Sequence, residues 1–95
     1  MDIKISNEAV EWFREEYEID DKASLRFFVR YGGMGGNVPG FSLGVNREEP
    51  DVIHTSTTAG NILFFVEESD VWYFEGKNLI ITLDEKIGEP QFSYQ

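Results

Sequence analysis

The chain has 95 residues, with no cysteine, one histidine and a formal net charge of −10 from 18 acidic and 8 basic residues. The lack of cysteine excludes disulfides, thiolate metal sites and a cysteine nucleophile, and a single histidine excludes a multi-histidine metal site within one chain. The acidic balance disfavours nucleic acid and anionic membranes and favours a protein partner with a basic surface, or a cation. Solubility alone is the simpler explanation of the charge.

Hydrophobic periodicity and turn residues predict a chain of short elements. They are, in order, a strand at 2–5, a helix from 7 to about 17 capped by Ser6, strands at 24–31 and 41–45 joined by a glycine-rich loop, strands at 52–58 and 62–66, a short helix at 67–74, and strands at 79–83 and 91–94. This order predicts one domain over 1–95, of α+β class and mostly β, with a barrel-like or sandwich core of short mixed strands. The side chains predicted to face inward are Val10, Phe13, Leu25, Phe27, Val29, Phe41, Leu43, Ile62, Phe64, Ile80 and Leu83.

The N-terminal helix carries an acidic face opposite its apolar stripe. By helical spacing this face consists of Glu8, Glu11, Glu15 and Glu18, with Trp12 on its flank. Like charges at this spacing repel one another, which costs the helix stability and suggests another use for them. The face is therefore a candidate for docking on a basic partner, with Trp12 as an apolar anchor. Plain solvation of the helix is the alternative, and the acids at 48–51, 67–70 and 84–85 are predicted to be solvated surface.

The glycine-rich loop is the second candidate site. It lacks the lysine of a phosphate-binding P-loop, because Phe41 stands at that position and a strand follows. Its glycines let the backbone approach a ligand, and two arginines on the preceding strand could assist an anion there. The candidate residues are Gly32, Gly33, Met34, Gly35, Gly36, Asn37, Val38 and Gly40, with Arg26 and Arg30. The alternative interpretation is a wide hairpin turn, in which Met34 only packs within the loop. The loop is expected to be mobile or partner-dependent.

Residues 30–45 read R-Y-G-G-M-G-G-N-V-P-G-F-S-L-G-V, which resembles the loop and following strand of the HesB-like family of A-type iron–sulfur carriers. The resemblance implies a HesB-like core and a connection with iron–sulfur assembly. Carriers of that family hold their cluster with one cysteine in this loop and a Cys-Gly-Cys pair near the C-terminus. Here Met34 or Val38 stands at the loop position and the chain stops at Gln95. The resemblance thus implies a divergent, cysteine-less member that carries no cluster.

Three functions remain open from the sequence. The leading prediction is a non-enzymatic HesB-like protein related to iron–sulfur assembly, with no catalytic residue, metal or cofactor. The first alternative is an acidic regulatory or adaptor module that docks on a larger metabolic enzyme or complex. The second is a small-ligand or anion-binding module that uses the glycine-rich loop. We expect a cytoplasmic protein without a membrane span, whose oligomeric state the sequence leaves open.

Overall fold

The computed structural model describes residues 1–95 and contains one α-helix, one 3-10 helix and seven strands. In chain order the elements are β1 (Ile3–Ile5), α1 (Asn7–Glu16), β2 (Ala23–Tyr31), β3 (Phe41–Arg47), β4 (Ile53–Ala59), β5 (Ile62–Glu67), the 3-10 helix (Glu68–Phe74), β6 (Leu79–Asp84) and β7 (Glu89–Tyr94). Every element predicted from the sequence is present. The predicted class, α+β and mostly β, is confirmed.

The strands form two sheets of mixed direction. The four-stranded sheet has the order β3-β2-β5-β4, in which β2 and β5 are parallel and both outer pairs are antiparallel. The three-stranded sheet has the order β1-β6-β7, in which β1 runs parallel to β6 with Ile3 opposite Leu79. The N–H of Ser6, the residue just before α1, donates to the carbonyl of Ile81 at 3.0 Å and extends this pairing by one residue.

Helix α1 begins and ends where local chemistry dictates. The Ser6 hydroxyl accepts a hydrogen bond from the Ala9 N–H at 3.2 Å, which satisfies one of the free amides of the first turn. At the other end Glu18 adopts a left-handed backbone with φ of 51°, and the Ile19 N–H bonds back to the Arg14 carbonyl. Glu18 therefore lies beyond the helix, and its predicted place on the acidic helix face is wrong.

The core is built around three aromatic rings from three elements. Phe13 of α1, Phe27 of β2 and Phe64 of β5 are buried, with ring centroids 5.6 to 6.0 Å apart. Burying such a side chain contributes about 1.5 to 3 kcal/mol. Seven side chains of the predicted inward set are buried: Val10, Phe13, Leu25, Phe27, Leu43, Ile62 and Phe64. Val29 and Phe41, from the same set, are half-buried against the core.

Strand β6 has the opposite phase to the one predicted. Leu79 and Ile81 are fully buried, whereas Ile80 and Leu83 are only partly buried. Because consecutive residues of this strand are apolar, both of its faces are apolar. The sequence therefore has no alternation that would indicate which face points to the core. Pairing with β1 and β7 sets it instead.

Two acids that the sequence predicts to be solvated are buried. The Glu67 carboxylate accepts the Asp51 N–H at 2.8 Å and the Val52 N–H at 2.7 Å. Asp70 accepts from the Arg26 guanidinium at 2.8 Å. Buried carboxylates need such partners because an unpaired buried charge is costly. These two acids therefore hold the β3–β4 connection and the 3-10 helix in place.

Candidate protein-docking site

The acidic face of α1 borders a shallow surface depression of about 420 Å³. Glu8, Glu11 and Glu15 are exposed along it, and Trp12 and Leu83 supply its apolar lining. Trp12 is half-buried, with its ring edge-on to Phe13 at 5.2 Å. The depression, which we call the acidic depression (Glu8, Glu11, Trp12, Glu15 and Leu83), thus combines negative charge with a half-buried aromatic ring.

Two further depressions connect this helix face with the glycine-rich loop. Trp12 also lines a neighbouring depression whose other walls include Arg30 and Phe92. Arg30 and Phe92 in turn line a third depression together with loop glycines and Met34. The two sites predicted from the sequence, which lie far apart in the chain, are therefore joined through adjoining hollows.

The glycine-rich loop is anchored at its second half. The Asn37 N–H donates to the Tyr73 hydroxyl at 2.8 Å, and the Asn37 side-chain amide donates to the Tyr73 carbonyl at 2.8 Å. Val38 packs against the core, an apolar anchor that sequence reasoning did not assign. A Cβ on Gly36 would collide with the Phe41 carbonyl and the Tyr73 hydroxyl. Glycine is required there because the loop backbone lies directly on its neighbours.

The two arginines predicted to assist the loop do not act together. The Arg26 guanidinium is 2.8 Å from Asp70 and 3.5 Å from Glu48. Burial lowers the pKa of Arg26, but the hydrogen bond and charge of Asp70 outweigh it, so this pKa is raised. Arg26 is thus committed to the structure away from the loop, and its predicted role there is not supported by its position. Arg30 does line the loop depression; its Nε donates to the Ser42 hydroxyl at 3.0 Å, and it forms no ion pair.

A cluster of three aromatic rings, two of them exposed, lies at the end of the β2–β3 hairpin, and sequence reasoning missed it. Tyr31 is 90% exposed and stands edge-on to its cross-strand neighbour Phe41, with centroids 5.8 Å apart. Trp72 of the 3-10 helix is 50% exposed and packs edge-on to Phe41 at 5.1 Å. We call these three residues the aromatic surface. Tyr31 continues the alternation of Leu25, Phe27 and Val29, but β2 extends past the core at this residue.

Met34 does not pack within the loop as predicted. Its side chain is 97% exposed, in the loop that connects the two strands of the aromatic surface. The left-handed backbone of Gly33 and Gly35 on either side turns the chain outward at this point. Met34 is therefore a large apolar side chain offered to solvent or to a partner.

The remaining sequence candidates are placed apart from these surfaces. The single histidine, His54, lies in β4 with Nδ1 at 3.3 Å from a carboxylate oxygen of Glu68. No group of three or more histidine, cysteine, aspartate or glutamate side chains is placed to hold a metal ion. Neither helix has the length and the apolar character needed to cross a membrane.

Comparison with known proteins identifies relatives over the full length of the chain. A protein of Bacillus subtilis (strain 168) named pyruvate dehydrogenase inhibitor is 41% identical over 95 residues, which cover 100% of both chains. Uncharacterised proteins of Staphylococcus saprophyticus and Staphylococcus aureus are 39% and 33% identical, and each alignment covers 98% of both chains. No family model matches the chain. No solved structure matches it either.

These relatives overturn the HesB-like prediction. No iron–sulfur family model matches, and a relative over the full length of the chain is named as an enzyme inhibitor. The resemblance rested on a glycine-rich hairpin loop followed by an alternating strand, a pattern that wide β-hairpins share whatever their function. The interpretation as an iron–sulfur biosynthesis protein is therefore wrong. The chain belongs to the family that includes the Bacillus subtilis pyruvate dehydrogenase inhibitor and the staphylococcal proteins.

Proposed function

We propose that this protein docks on pyruvate dehydrogenase and lowers its activity without being an enzyme itself. The observation that carries the proposal is the 41% identity, over the whole of both chains, to a protein named pyruvate dehydrogenase inhibitor. This function corresponds to the first alternative from the sequence, an acidic module that docks on a larger metabolic enzyme. An inhibitor as relative also agrees with the prediction of a non-enzymatic protein.

The charge of the molecule supports association with a basic surface. With a net charge of −10, the chain produces a field that attracts a positive patch from beyond contact distance. The acidic depression concentrates three of these charges around a half-buried tryptophan. Such an arrangement speeds encounter through electrostatic steering, while the aromatic ring contributes apolar contact once the proteins meet.

A protein of 10.9 kDa inhibits most simply by covering a surface. A standard interface buries about 800 Å² on each partner, enough to close an entrance or to hold a moving segment of an enzyme. Inhibition by coverage is reversible and saturable. Because occupancy sets the effect, the concentration that gives half-maximal inhibition equals the dissociation constant of the complex when the enzyme is more dilute than that constant and the substrate lies well below its KM.

The test is a titration of the purified protein into pyruvate dehydrogenase from the same organism. Pyruvate-dependent NADH formation reports activity, and biolayer interferometry on the immobilised enzyme reports binding. With the enzyme below the dissociation constant and pyruvate well below its KM, we expect saturable inhibition whose midpoint matches the dissociation constant. Unchanged activity together with no binding would contradict the proposal, as would binding that leaves activity intact at saturation.

Two triple variants with equal charge change test the acidic depression. The first carries Glu8→Gln, Glu11→Gln and Glu15→Gln. The matched control carries Asp20→Asn, Asp21→Asn and Glu85→Gln, at exposed positions outside the depression whose side chains form no hydrogen bond. We expect the first triple to lower the association rate and its salt dependence more than the control does. Equal effects would show that only net charge matters.

A second candidate function is anion binding at the loop depression. The specific observation is that Arg30 lines this hollow of about 260 Å³ and forms no ion pair. The probes are pyruvate and inorganic phosphate in a thermal unfolding assay. A ligand at about 100 times its dissociation constant stabilises the folded state by about 2.7 kcal/mol. A melting temperature that rises with either probe, and fails to rise in Arg30→Gln, supports this function; no shift with either probe counts against it.

A further inference from the structure

We infer that the aromatic surface, formed by Tyr31, Phe41 and Trp72, is the contact that holds this protein on pyruvate dehydrogenase, an inference that rests on the proposed function. Aromatic residues dominate the energetics of protein interfaces because each ring buries a large area for few rotatable bonds. Here two exposed rings, Tyr31 and Trp72, flank the half-buried Phe41. They come from two strands and the 3-10 helix, so the fold itself assembles the cluster.

Phe41 and Trp72 are packed against other rings before any partner arrives, and Tyr31 rests on Phe41. Phe41 is half-buried against the core and stands edge-on to both of its neighbours, at 5.8 Å from Tyr31 and 5.1 Å from Trp72. Trp72 also stands edge-on to the buried Tyr73 at 6.1 Å. Side chains fixed by mutual packing lose little rotamer entropy when they bind. The surface is thus pre-organised for contact.

The polar atoms of the surface define the chemistry of the partner. The Tyr31 hydroxyl and the Trp72 indole N–H have no hydrogen-bond partner within the protein. Two free donors around apolar rings fit an apolar hollow on the partner that is bordered by carbonyl or carboxylate oxygens. A second copy of this chain fits poorly as the occupant, because two chains of charge −10 repel each other.

The acidic depression and the aromatic surface then have different effects on binding. Charges of the acidic depression act at long range and set the association rate, whereas desolvated aromatic contacts act only in the complex and set the dissociation rate. Removal of a ring from the aromatic surface should therefore shorten the lifetime of the complex while leaving its salt dependence unchanged. This pattern distinguishes a true contact from a general loss of charge or fold.

The experiment compares dissociation from immobilised pyruvate dehydrogenase for wild type, Tyr31→Ala, Trp72→Ala and the control Ile87→Ala. Ile87 is also exposed and apolar, at 66%, but lies in the turn between β6 and β7. We expect dissociation to accelerate about tenfold or more for both aromatic variants. The Ile87 variant should match wild type. Thermal unfolding verifies folding, and Tyr31→Ala removes a side chain that is 90% exposed, so it should fold even if Trp72→Ala does not.

The outcomes separate this inference from the proposed function. If wild type neither binds nor inhibits the enzyme, the proposed function fails and the inference fails with it. If wild type binds and inhibits but Tyr31→Ala dissociates at the wild-type rate, only the inference is contradicted. It is likewise contradicted if sedimentation shows a wild-type dimer that Tyr31→Ala converts to monomer, because the surface would then join two copies of this chain.

Discussion

The substitution Tyr73→Phe removes a single oxygen from a fully buried side chain, and this oxygen anchors the glycine-rich loop. The Tyr73 hydroxyl accepts the Asn37 N–H at 2.8 Å and shares a hydrogen bond with the Tyr94 hydroxyl at 3.0 Å. Phenylalanine keeps the ring and its packing, so no cavity forms beneath it. The expected loss therefore comes from hydrogen bonds alone.

The magnitude follows from counting these bonds. Leaving the partly buried Asn37 N–H without an acceptor costs about 1 to 3 kcal/mol, and the lost bond to Tyr94 costs about 1 kcal/mol more. In a domain of this size, the sum of about 2 to 4 kcal/mol lowers the melting temperature by about 8 °C or more. Tyr94→Phe is the matched control, because it removes the shared tyrosine bond and leaves the acceptor of Asn37 in place. Its expected cost is about 1 kcal/mol.

Circular dichroism melting and amide hydrogen exchange measure the two consequences. Exchange at Asn37 should accelerate about tenfold to a hundredfold in Tyr73→Phe, and should change little in Tyr94→Phe. The reasoning fails if the two variants melt together and the Asn37 amide exchanges at the wild-type rate in both. The loop would then be held by its backbone and by Val38 alone.

Three further changes test the core and its buried charge. Glu67→Gln should cost about 1.5 to 3 kcal/mol in urea unfolding, since an amide cannot accept from both backbone donors, whereas Glu68→Gln should cost under about 1 kcal/mol. Ile81→Ala should cost about 2 to 5 kcal/mol and Ile80→Ala less, because only the first side chain is fully buried; equal losses would contradict the phase of β6. Burial raises the pKa of Tyr94 in the folded protein. This hydroxyl therefore loses its proton at lower pH in the unfolded chain than in the folded one, and the free energy of unfolding should fall above about pH 10. Tyr94→Phe should weaken that fall.

The order of elements follows from local patterns, and their pairing does not. Neighbouring residues in the sequence determine the alternation in β2 and β3, the Ser6 cap and the turn at Gly60 and Asn61. These elements were therefore predictable. The phase of β6 was not, because apolar side chains occupy both of its faces and its partners decide which face is buried. Glu67 and Asp70 are predicted to be solvated because nothing near them in the sequence indicates the donors that they meet in the fold.

Of the two candidate surfaces, the acidic helix face could be predicted from local sequence and the aromatic surface could not. Helical spacing places Glu8, Glu11 and Glu15 on one face without any tertiary information. The aromatic surface depends on where the core stops along β2, and on Trp72, which approaches from a helix much later in the chain. An aromatic at the last residue of an alternating strand is a signal that could have raised the question at Tyr31.

The parallel pairing of β1 with β6 has a consequence for how the chain reaches its folded state. Ile3 meets Leu79 across 76 residues of sequence, and the Ser6 amide meets the Ile81 carbonyl across a similar span. During synthesis the first strand has no partner until nearly the whole chain has left the ribosome. The hairpins β2–β3 and β4–β5 are local and can form earlier, whereas docking of β1 must await loop closure over most of the chain. We therefore expect a topology-limited domain that folds slowly for its size, with unfolding rates more sensitive than folding rates to changes in β1.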